Sequence, residues 1–292
     1  MINLAEPDLI VNADGSVYHL SLRPDQLAET VLIMGDPGRV PEVSVFFDSI
    51  ECNVSNREFI SHTGMYRGKR ITALSTGIGT DNIDIVMQEL DALANFNLQT
   101  RLPNPERKTL TIIRLGTSGA IQPDITINSF GLSTHAMGLD NVIYFYRDYP
   151  NIIDKELSAH FARQVNWSPH LTLPYFIKGS EGLVQLFSKG TVPGITVTAP
   201  GFYGPQGRGL HLALTDPEMI NKLQQFQYGV HRITNFEMET SALYGLGALM
   251  GHETITICAL VANRATGEYN PSHGPVISAL IEMVLDRIIT DS

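Results

Sequence analysis

Residues 70–96 read RITALSTGIGTDNIDIVMQELDALANF, and this stretch decides the fold class. Its first ten residues form an apolar run that ends in a glycine-rich turn, which is typical of a buried strand entering a loop. The residues that follow carry apolar side chains at helical intervals, at Ile83, Ile85, Val86, Leu90, Leu93 and Ala94. The stretch therefore predicts a strand, a loop and a helix in succession.

The same succession recurs along the chain. TVLIMG (30–35) predicts a strand that ends in the turn GDPG, with a helix from Val40 to Phe47 after it. Further strands that end in polar or glycine-containing loops are predicted at TLTIIRLGTSGAI (109–121), GITVTAP (194–200) and ETITICALVANRAT (253–266). Helices are predicted at 154–165, 179–188, 216–227, 239–251 and 274–289. Apolar strands of this kind suit a mostly parallel sheet that is buried on both faces.

This alternation predicts an α/β fold with a central mixed, mostly parallel sheet flanked by helices. We expect one domain over residues 1–292, with residues 1–16 as an N-terminal extension. The segment NLQTRLPNPERKT (97–109) is polar, contains two prolines and predicts a surface loop. Ligands of open α/β sheets bind beyond the carboxyl ends of the strands, so the chemistry is expected in the loops that follow the predicted strands.

Composition argues against several functional classes. The chain carries 30 acidic and 20 basic residues, a formal net charge of −10, which disfavours nucleic acids and anionic membrane surfaces as partners. No stretch approaches the roughly 20 apolar residues that span a bilayer, and the first residues do not resemble a secretory leader. Cys52 and Cys258 form no CxxC pair, which favours a reduced, cytoplasmic protein without a zinc cage.

Two segments combine arginine with glycine. In GDPGR (35–39), a glycine after a strand lets backbone N–H groups approach a ligand that the arginine can also reach, although the motif alone equally fits a turn with a solvated arginine. RLGTSGA (114–120) is expected to place its arginine at the end of a strand and residues 116–119 in a hydroxyl-rich loop. Together they predict an oxyanion site. Neither matches GxxxxGK[ST] or GxGxxG, which disfavours ATP and NAD.

Two acids precede a predicted helix, and their pattern leaves two interpretations open. Glu237 and Glu239 lie two residues apart, where acids ordinarily complement the helix dipole and cap free N–H groups. A carboxylate held there could instead accept two hydrogen bonds from a vicinal diol, as in ribose. An earlier glycine-rich loop offers a stacking face and a donor–acceptor pair for the edge of a nucleobase, namely Phe202 with Gln206 and Arg208.

Six motifs, GDPGR, SNREF, STGIG, RLGTSGAIQP, FYGPQGR and NFEMETSAL, follow one another along the chain. Taken together they resemble the nucleoside phosphorylase superfamily of the hexameric purine and uridine type, most closely its uridine phosphorylases. The resemblance covers residues 17–287. It implies the α/β fold of that superfamily and its reaction, the phosphorolysis of a nucleoside.

The resemblance implies a phosphate site formed by Gly35, Arg39, Arg114 and Thr117. Arg57, in SNREF, matches the residue that reaches the phosphate of a neighbouring subunit. His19, in SVYHLSL, matches the histidine that crosses the subunit interface to the ribose 5′-hydroxyl, although a histidine near the N-terminus is by itself usually a surface residue. Three arginines would then concentrate positive charge in one pocket.

For the nucleoside, the resemblance implies binding by His19, Phe202, Gln206, Arg208, Met238, Glu239, Val261 and Arg264. Glu239 would bind the ribose 2′- and 3′-hydroxyls, and Met238 would pack on the sugar. Phe202 would cover the base, while Gln206 and Arg208 would bind the uracil carbonyls and N3–H. Arg208, Gln206 and Glu239 are therefore the expected catalytic residues.

The late predicted strand favours a pyrimidine base. Purine members of the superfamily carry a Ser-Asp pair there, whose Asp protonates purine N7 as the base departs, whereas Ala262 and Asn263 stand in its place in this chain. Val261 would border the base. Arg264 resembles the arginine that helps to form the end of the uracil pocket, although by itself it also fits a solvated loop residue.

The expected function is that of a uridine phosphorylase, a pentosyltransferase that converts uridine and phosphate reversibly to uracil and ribose 1-phosphate in pyrimidine salvage. The alternatives are a purine nucleoside phosphorylase, a related nucleosidase that uses water, and a non-catalytic nucleoside-binding protein on the same fold. A hydrolase has less need of three convergent arginines. A silent relative would be expected to have lost some of Arg39, Arg114, Arg208 and Glu239, all of which are present.

Inorganic phosphate is the expected co-substrate, and no metal is expected because the nine histidines form no HExxH motif. The resemblance also implies a monovalent cation near Glu58, but TDN (80–82) replaces a Gly-Pro-Ser-like sequence of the family and leaves this site open. Because His19 and Arg57 would serve a neighbouring subunit, a homodimer is the expected minimum, and a hexamer built as a trimer of dimers is compatible with it.

Overall fold

The computed structural model describes residues 4–290. Its strands are β1 (Thr30–Met34), β2 (Ser49–Asn56), β3 (Phe59–Tyr66), β4 (Lys69–Ser75), β5 (Phe96–Asn97), β6 (Leu102–Pro103), β7 (Thr111–Ala120), β8 (Phe130–Gly138), β9 (Tyr175–Lys178), β10 (Val192–Thr198), β11 (Gln227–Tyr228), β12 (His231–Glu237), β13 (Glu253–Asn263) and β14 (Glu268–Tyr269). Its α-helices are α1 (Arg39–Ser44), α2 (Thr80–Asn95), α3 (Lys155–Gln164), α4 (Glu181–Phe187), α5 (Met219–Gln225), α6 (Thr240–Met250) and α7 (Gly274–Thr290). Short 3₁₀ helices lie at Pro24–Gln26, Val142–Phe145, Tyr149–Asn151 and Gly204–Gln206.

One large mixed sheet organises the molecule, as predicted. Its strands run in the order β11-β12-β10-β8-β13-β7-β1-β4-β3-β2, with β9 added to β8 and β14 to β13. Parallel pairs join β4 to β1, β1 to β7 and β7 to β13, and also β8 to β10 and β10 to β12. The other pairs are antiparallel, including β8 with β13 and the meander of β2, β3 and β4.

The sheet also closes on itself. The end of β7 pairs with β12, where Ala120 lies opposite Asn235 and Gly119 opposite Phe236. Strands β7, β13, β8, β10 and β12 therefore form a ring of five, and β1, β4, β3 and β2 extend from β7 as an open sheet. The prediction of a loop at residues 116–119 is wrong, because these residues continue β7 between β13 and β12.

The apolar stretches in the sequence became the expected elements. The strands predicted at 30–35, 70–79, 109–121, 194–200 and 253–266 are β1, β4, β7, β10 and β13. The helices predicted at 154–165, 179–188, 216–227, 239–251 and 274–289 are α3 to α7, with small differences at their ends. Strands β2, β3, β8, β9 and β12 were not predicted. The α/β fold class is confirmed.

The core lies on both sides of the central strands. Every residue of β1 is buried, and α2, in which Ile83, Val86 and Leu90 are fully buried, packs against α6, which in turn contacts β8, β9, β10 and β13. Strands buried on both faces explain why their sequences are continuous apolar runs rather than alternating ones. Across residues 4–290, none of the helices has the length and apolar character that crossing a bilayer requires.

Two segments singled out for their composition lie at the periphery. Within 97–109, Asn97 pairs with Leu102 as part of the small hairpin of β5 and β6, and most other side chains there are exposed. The extension predicted at 1–16 is described only from residue 4 onward, and a β-bridge between Val11 and Val17 fastens it to the domain.

Register places the carboxyl ends of several strands side by side. Ile33 at the end of β1 lies opposite Arg114 of β7, and Thr198 at the end of β10 lies opposite Glu237 of β12. Side chains that are far apart in sequence therefore meet at one edge of the sheet, where α/β proteins bind their ligands.

Candidate active site

A cavity of about 810 Å³ opens at this edge. Ten of the site residues predicted from the sequence line it, namely Gly35, Arg39, Arg114, Thr117, Phe202, Gln206, Arg208, Met238, Glu239 and Val261. Glu58 lines it as well. His19, Arg57 and Arg264 do not, and their positions are described below. The structure thus brings together residues spread over more than two hundred positions of sequence.

Two glycine-containing loops form the floor beside the ends of β1 and β4. They approach closely, so that a Cβ on Gly35 would lie only 3.2 Å from the carbonyl oxygen of Gly77. Gly79 has a φ of +102°, a conformation that suits glycine, and its N–H donates to Glu239 at 2.7 Å. The loop before α2 is thereby fastened to the residue just before α6.

Arg114 is the electrostatic centre of the cavity. Its side chain is only 5% exposed, and Nη1 lies 3.0 Å from the Glu237 carboxylate while Nη2 donates to that of Glu239. Burial works against the charge, but Glu239 and Glu237 together raise the pKa of Arg114 above its usual value. The guanidinium therefore stays charged, and both of its terminal nitrogens are engaged by carboxylates.

Glu237 and Glu239, the two acids before α6, have different roles: one caps the helix and the other faces the cavity. Glu237 caps the helix, because its carboxylate accepts the N–H groups of Glu239 and Thr240 at 2.9 Å and the hydroxyl of Thr198 at 2.6 Å. Glu239 makes no cap and points into the cavity towards Arg114 and Gly79. Burial and the neighbouring Glu237 raise the pKa of Glu239, while Arg114 opposes that rise.

Arg39 lines the cavity without an ion-pair partner, although Asp36 and Glu42 lie near enough to favour its charge. It is the first residue of α1, and its Nη2 lies 3.5 Å from the Thr117 hydroxyl on β7. Burial lowers the pKa of Arg39; Asp36 opposes this and Arg114 adds to it. A partly buried guanidinium beside a free hydroxyl favours an incoming oxyanion.

The loop after β10 carries a preorganised donor–acceptor pair. The Arg208 guanidinium lies 4.1 Å from the centre of the Phe202 ring and donates from Nη1 to the Phe202 carbonyl at 2.7 Å and to Gln206 Oε1 at 2.6 Å. Gln206 is buried, and burial lowers the pKa of Arg208. The amide of Gln206 is thereby oriented with Nε2 free to donate.

Arg264 lies behind this loop rather than on the cavity wall. Its Nη1 donates to the Gln206 carbonyl, and its Nη2 lies 3.5 Å from the Gly207 carbonyl. Burial and the charge of Arg208 lower the pKa of Arg264. The expected end of the base pocket is therefore held by Arg264 through the backbone.

His19 and Arg57 lie outside this cavity and next to each other. Arg57 is in the left-handed region, with a φ of 54°, at the turn between β2 and β3. Its guanidinium carbon is 5.5 Å from the centre of the Tyr18 ring, and the Tyr18 and His19 rings meet edge to face with centroids 4.8 Å apart. The two residues expected to serve a neighbouring subunit are thus joined through Tyr18 into one group, in which Tyr18 and Arg57 are exposed and His19 is partly buried.

Sequence reasoning missed several cavity residues, among them Asp36, Ile78, Phe236 and Tyr269. Asp36 belongs to the GDPGR motif, so the sequence shows its charge but not that its side chain lines the cavity. Tyr269 lies on the two-residue strand β14, which is too short to leave a periodic pattern. It reaches the site because β14 pairs with β13.

Within a single subunit, carboxyl groups accompany the arginines of the cavity. The three arginines that line the cavity, Arg39, Arg114 and Arg208, are accompanied there by the carboxyl groups of Asp36, Glu58, Glu237 and Glu239. Two of these carboxylates already engage Arg114. A single subunit therefore presents an arginine-containing but not an electropositive cavity.

Comparisons with known proteins show several similarities over most of the chain. The family model described as the phosphorylase superfamily matches residues 29–289. A uridine phosphorylase of Thermococcus kodakarensis is 31% identical over 283 residues, 95% of this chain and 88% of that protein. A DeoD-type purine nucleoside phosphorylase of Colwellia psychrerythraea is 26% identical over 274 residues, 93% of this chain and 98% of that protein. The crystal structure of a Trypanosoma brucei nucleoside phosphorylase that shows uridine phosphorylase activity superposes with a TM-score of 0.88 at 26% identity, covering 97% of this chain and 100% of that chain.

Replacement of the central arginine tests the electrostatics of the cavity. We expect Arg114→Met to lower the free energy of unfolding by about 3–5 kcal/mol at neutral pH, because it leaves two buried carboxylates without a cation. The deficit should shrink as the pH falls through the raised pKa of Glu239, since a protonated carboxyl needs no counter-charge. Denaturant titrations at a series of pH values measure both effects.

Arg232→Met is the matched control, because Arg232 also binds a carboxylate through both terminal nitrogens but does so near the surface, with Asp124. Its cost should stay within about 1 kcal/mol. Equal losses for the two variants, or a deficit for Arg114→Met that does not change with pH, would contradict the central role assigned to Arg114.

Proposed function

The chain belongs to the phosphorylase superfamily, and we propose that within this family of nucleoside phosphorylases it is a uridine phosphorylase. The reaction is the reversible phosphorolysis of uridine to uracil and ribose 1-phosphate, a pentosyl transfer that serves pyrimidine salvage. The observation that carries the proposal is the pairing of Gln206 with Arg208 at the wall of the cavity that also holds Arg39 and Glu239.

The pair complements the edge of uracil, which presents a carbonyl, an N–H and a second carbonyl in a row. Gln206 Oε1 accepts from Arg208 and retains a second lone pair for the N3–H of the base. The free Nε2 of Gln206 and the remaining N–H groups of Arg208 supply donors for the two carbonyl oxygens. Phe202, stacked under Arg208 and half exposed, covers the face of the base.

A purine nucleoside phosphorylase is the second candidate, since purine enzymes are among the relatives. Two residues of β13 favour a pyrimidine rather than a purine as the base. Ala262 lines the cavity, while the side chain of Asn263 turns away and donates to the carbonyls of Gln122 and Ile125 at 2.8 and 2.7 Å. An amide buried in that way offers no proton to a departing purine, whereas uracil needs only donors to its oxygens.

The proposed chemistry separates charge and then stabilises it. As the glycosidic bond lengthens, positive charge grows on the sugar and negative charge on the base. Glu239 binds the ribose hydroxyls and Met238 packs on the sugar, while Arg208 and Gln206 stabilise the developing uracil anion. Arg39, Arg114, Thr117 and the backbone of Gly35 hold phosphate, whose own charge stabilises the cationic sugar, and Arg114 also orients Glu239.

We propose phosphate as the co-substrate and no resident metal. Near Glu58, where the family resemblance implies a monovalent cation, Asn82 Nδ2 lies 3.4 Å from the Glu58 carboxylate. That contact engages one oxygen of Glu58, so a monovalent cation at the second oxygen is compatible with it. In this chain Asn82 is the proposed partner of Glu58.

The functional unit that we propose is at least a homodimer, compatible with a trimer of dimers. Support comes from the position of His19 and Arg57, which are joined through Tyr18 into one group at the surface, outside the cavity of their own subunit. In a symmetric pair, this group of one subunit would complete the site of the other.

A cytoplasmic location is also proposed. Cys52 and Cys258 are both free thiols, and Cys258 is buried beside Arg114. Burial, despite the nearby arginine, raises the pKa of Cys258 to about 12, so this thiol is not a reactive nucleophile. Two unpaired cysteines are typical of reducing compartments.

The first test is base release by the purified protein from uridine and from inosine, each with and without phosphate, followed by ultraviolet absorbance. We expect uracil from uridine only when phosphate is present. Release from inosine alone would indicate a purine phosphorylase, release without phosphate would indicate a nucleosidase, and no release from either nucleoside would indicate a silent binding protein.

Arg208→Ala tests the assignment of the base site. We expect the turnover of uridine to fall by about 10²–10³-fold, because a charge-directed contact to the leaving group is lost. Stability should change little, since the contacts of Arg208 lie within its own loop. Arg163→Ala, on the exposed face of α3, is the control and should retain full turnover. A near-normal rate for Arg208→Ala would show that Arg208 does not recognise the base.

Complementation between subunits tests the shared site. Arg39→Ala and Arg57→Ala should each abolish most activity, because the first removes a cation from the cavity itself and the second removes one from the neighbouring site. Subunits of both kinds, mixed by co-expression, should regain roughly a quarter of the wild-type rate, since half of randomly formed dimers are hybrids and each hybrid has one intact site. A mixture no more active than the separate variants would show that both arginines act within one subunit.

A further inference from the structure

The His19 side chain is held by one residue that the proposed mechanism has not used. Glu89 lies on α2, and its carboxylate accepts the backbone N–H of His19 at 2.9 Å and that of Leu20 at 2.8 Å. The same carboxylate lies 2.7 Å from Nδ1 of the His19 ring. Glu89 itself is 8% exposed and the His19 side chain is 28% exposed, so a buried carboxylate organises a partly buried histidine.

These contacts decide the orientation of the imidazole. An ionised carboxylate only accepts hydrogen bonds, so Nδ1 must carry the proton that faces Glu89. In the neutral ring, Nε2 is then an acceptor that points away from Glu89. Among residues 4–290 no group forms a hydrogen bond with Nε2. The ring is flanked edge to face by Tyr18, at 4.8 Å between centroids, and by the buried Phe59, at 6.4 Å.

The helix that carries Glu89 also borders the subunit's own site. Gly79, immediately before α2, donates its N–H to Glu239, the proposed ribose ligand. Glu89 lies ten residues further along, which corresponds to about 15 Å of helix. Helix α2 therefore helps to orient Glu239 of its own cavity at its start, and further along it orients His19, which is proposed to serve the neighbouring subunit.

We propose that Glu89 is a positioning residue, which holds the His19 ring with Nε2 directed at the ribose 5′-hydroxyl of a nucleoside bound by the neighbouring subunit. This inference rests on the proposed function and on the exchange of His19 between subunits. A hydroxyl donates its proton to Nε2, and Glu89 fixes both the tautomer and the direction that this bond requires. Recognition of the 5′-hydroxyl is thus a joint property of His19 and Glu89.

The test compares uridine with 5′-deoxyuridine, which lacks only that hydroxyl, for wild type, His19→Ala, Glu89→Gln and the double variant. Wild type should prefer uridine, by kcat/KM, about 10- to 100-fold. Glu89→Gln should lose most of this preference by losing activity on uridine alone. The amide N–H groups of the new side chain would face N–H groups that donate hydrogen bonds to the carboxylate in the wild type. His19→Ala should lose the same preference, and the double variant should lose no more of it than either single variant does.

Controls separate positioning from folding. Asp84→Asn removes a carboxylate from the same helix, one that accepts from Tyr146 rather than from His19, and should keep the wild-type preference. Glu89→Asp retains the charge on a shorter side chain, and should lower the preference to a value between those of wild type and His19→Ala. This second variant decides the matter if Glu89→Gln does not fold.

The outcomes are distinguishable. Equal losses on both nucleosides in the Glu89 variants would assign Glu89 a structural role only and overturn the proposal. An undiminished preference in His19→Ala would overturn it as well, because His19 would then not contact the 5′-hydroxyl. If wild type releases no uracil with phosphate, it is the proposed function that fails.

Discussion

The structure of the candidate site depends on the buried ion pairs of Arg114 with Glu237 and Glu239. Arg114 lies on β7, Glu237 ends β12, and Glu239 stands just before α6 and accepts from Gly79 at the start of α2. A buried ion pair adds little net stability because desolvation offsets most of the Coulomb attraction, but breaking one is costly. Its contribution here is geometric, since alternative arrangements of these four elements would leave a buried charge unpaired.

The same interaction explains how two acids of one short motif acquire different roles. Glu237 is saturated by two backbone N–H groups and the Thr198 hydroxyl, so it is a structural carboxylate that closes the start of α6. Glu239 has donors only on the side of Arg114 and Gly79, and it also lines the cavity. Burial raises its pKa, and the guanidinium counteracts that rise. A carboxylate kept available in this way suits the two hydroxyl donors of a ribose.

Apolar periodicity was sufficient for strands whose side chains pack among hydrocarbon, as at β1, and for the helices that cover them. It failed where the sheet closes into a ring, because there polar side chains satisfy one another inside. Ser118 of β7 donates to the Phe236 carbonyl and accepts from the buried Asn235 side chain at 2.8 Å. The end of β7 was therefore predicted as a polar loop, and β12 was not predicted at all.

The candidate site, too, could be predicted from the sequence only in part. The motif loops were identifiable because glycine, arginine and paired acids stand next to strands, yet their mutual contacts were not, since Arg114 and Glu239 are 125 residues apart and only register brings them together. The part of His19 and Arg57 could come only from the family resemblance, because a contact between two copies of a chain leaves no spacing pattern within one copy.

The charges of the cavity give the neighbouring subunit an electrostatic reason to take part. One subunit supplies Arg39, Arg114 and Arg208 against four carboxyl groups, and Arg114 is neutralised by two of them. A phosphate dianion entering such a cavity would meet Arg39 as the main free cation beside it, and repulsion from the unpaired carboxylates would offset much of that attraction. An arginine delivered from outside, as proposed for Arg57, changes this balance without adding a buried cation that the isolated subunit would have to keep desolvated. Assembly would then create the anion site only when it also brings His19 to the sugar, which couples phosphate binding to nucleoside recognition.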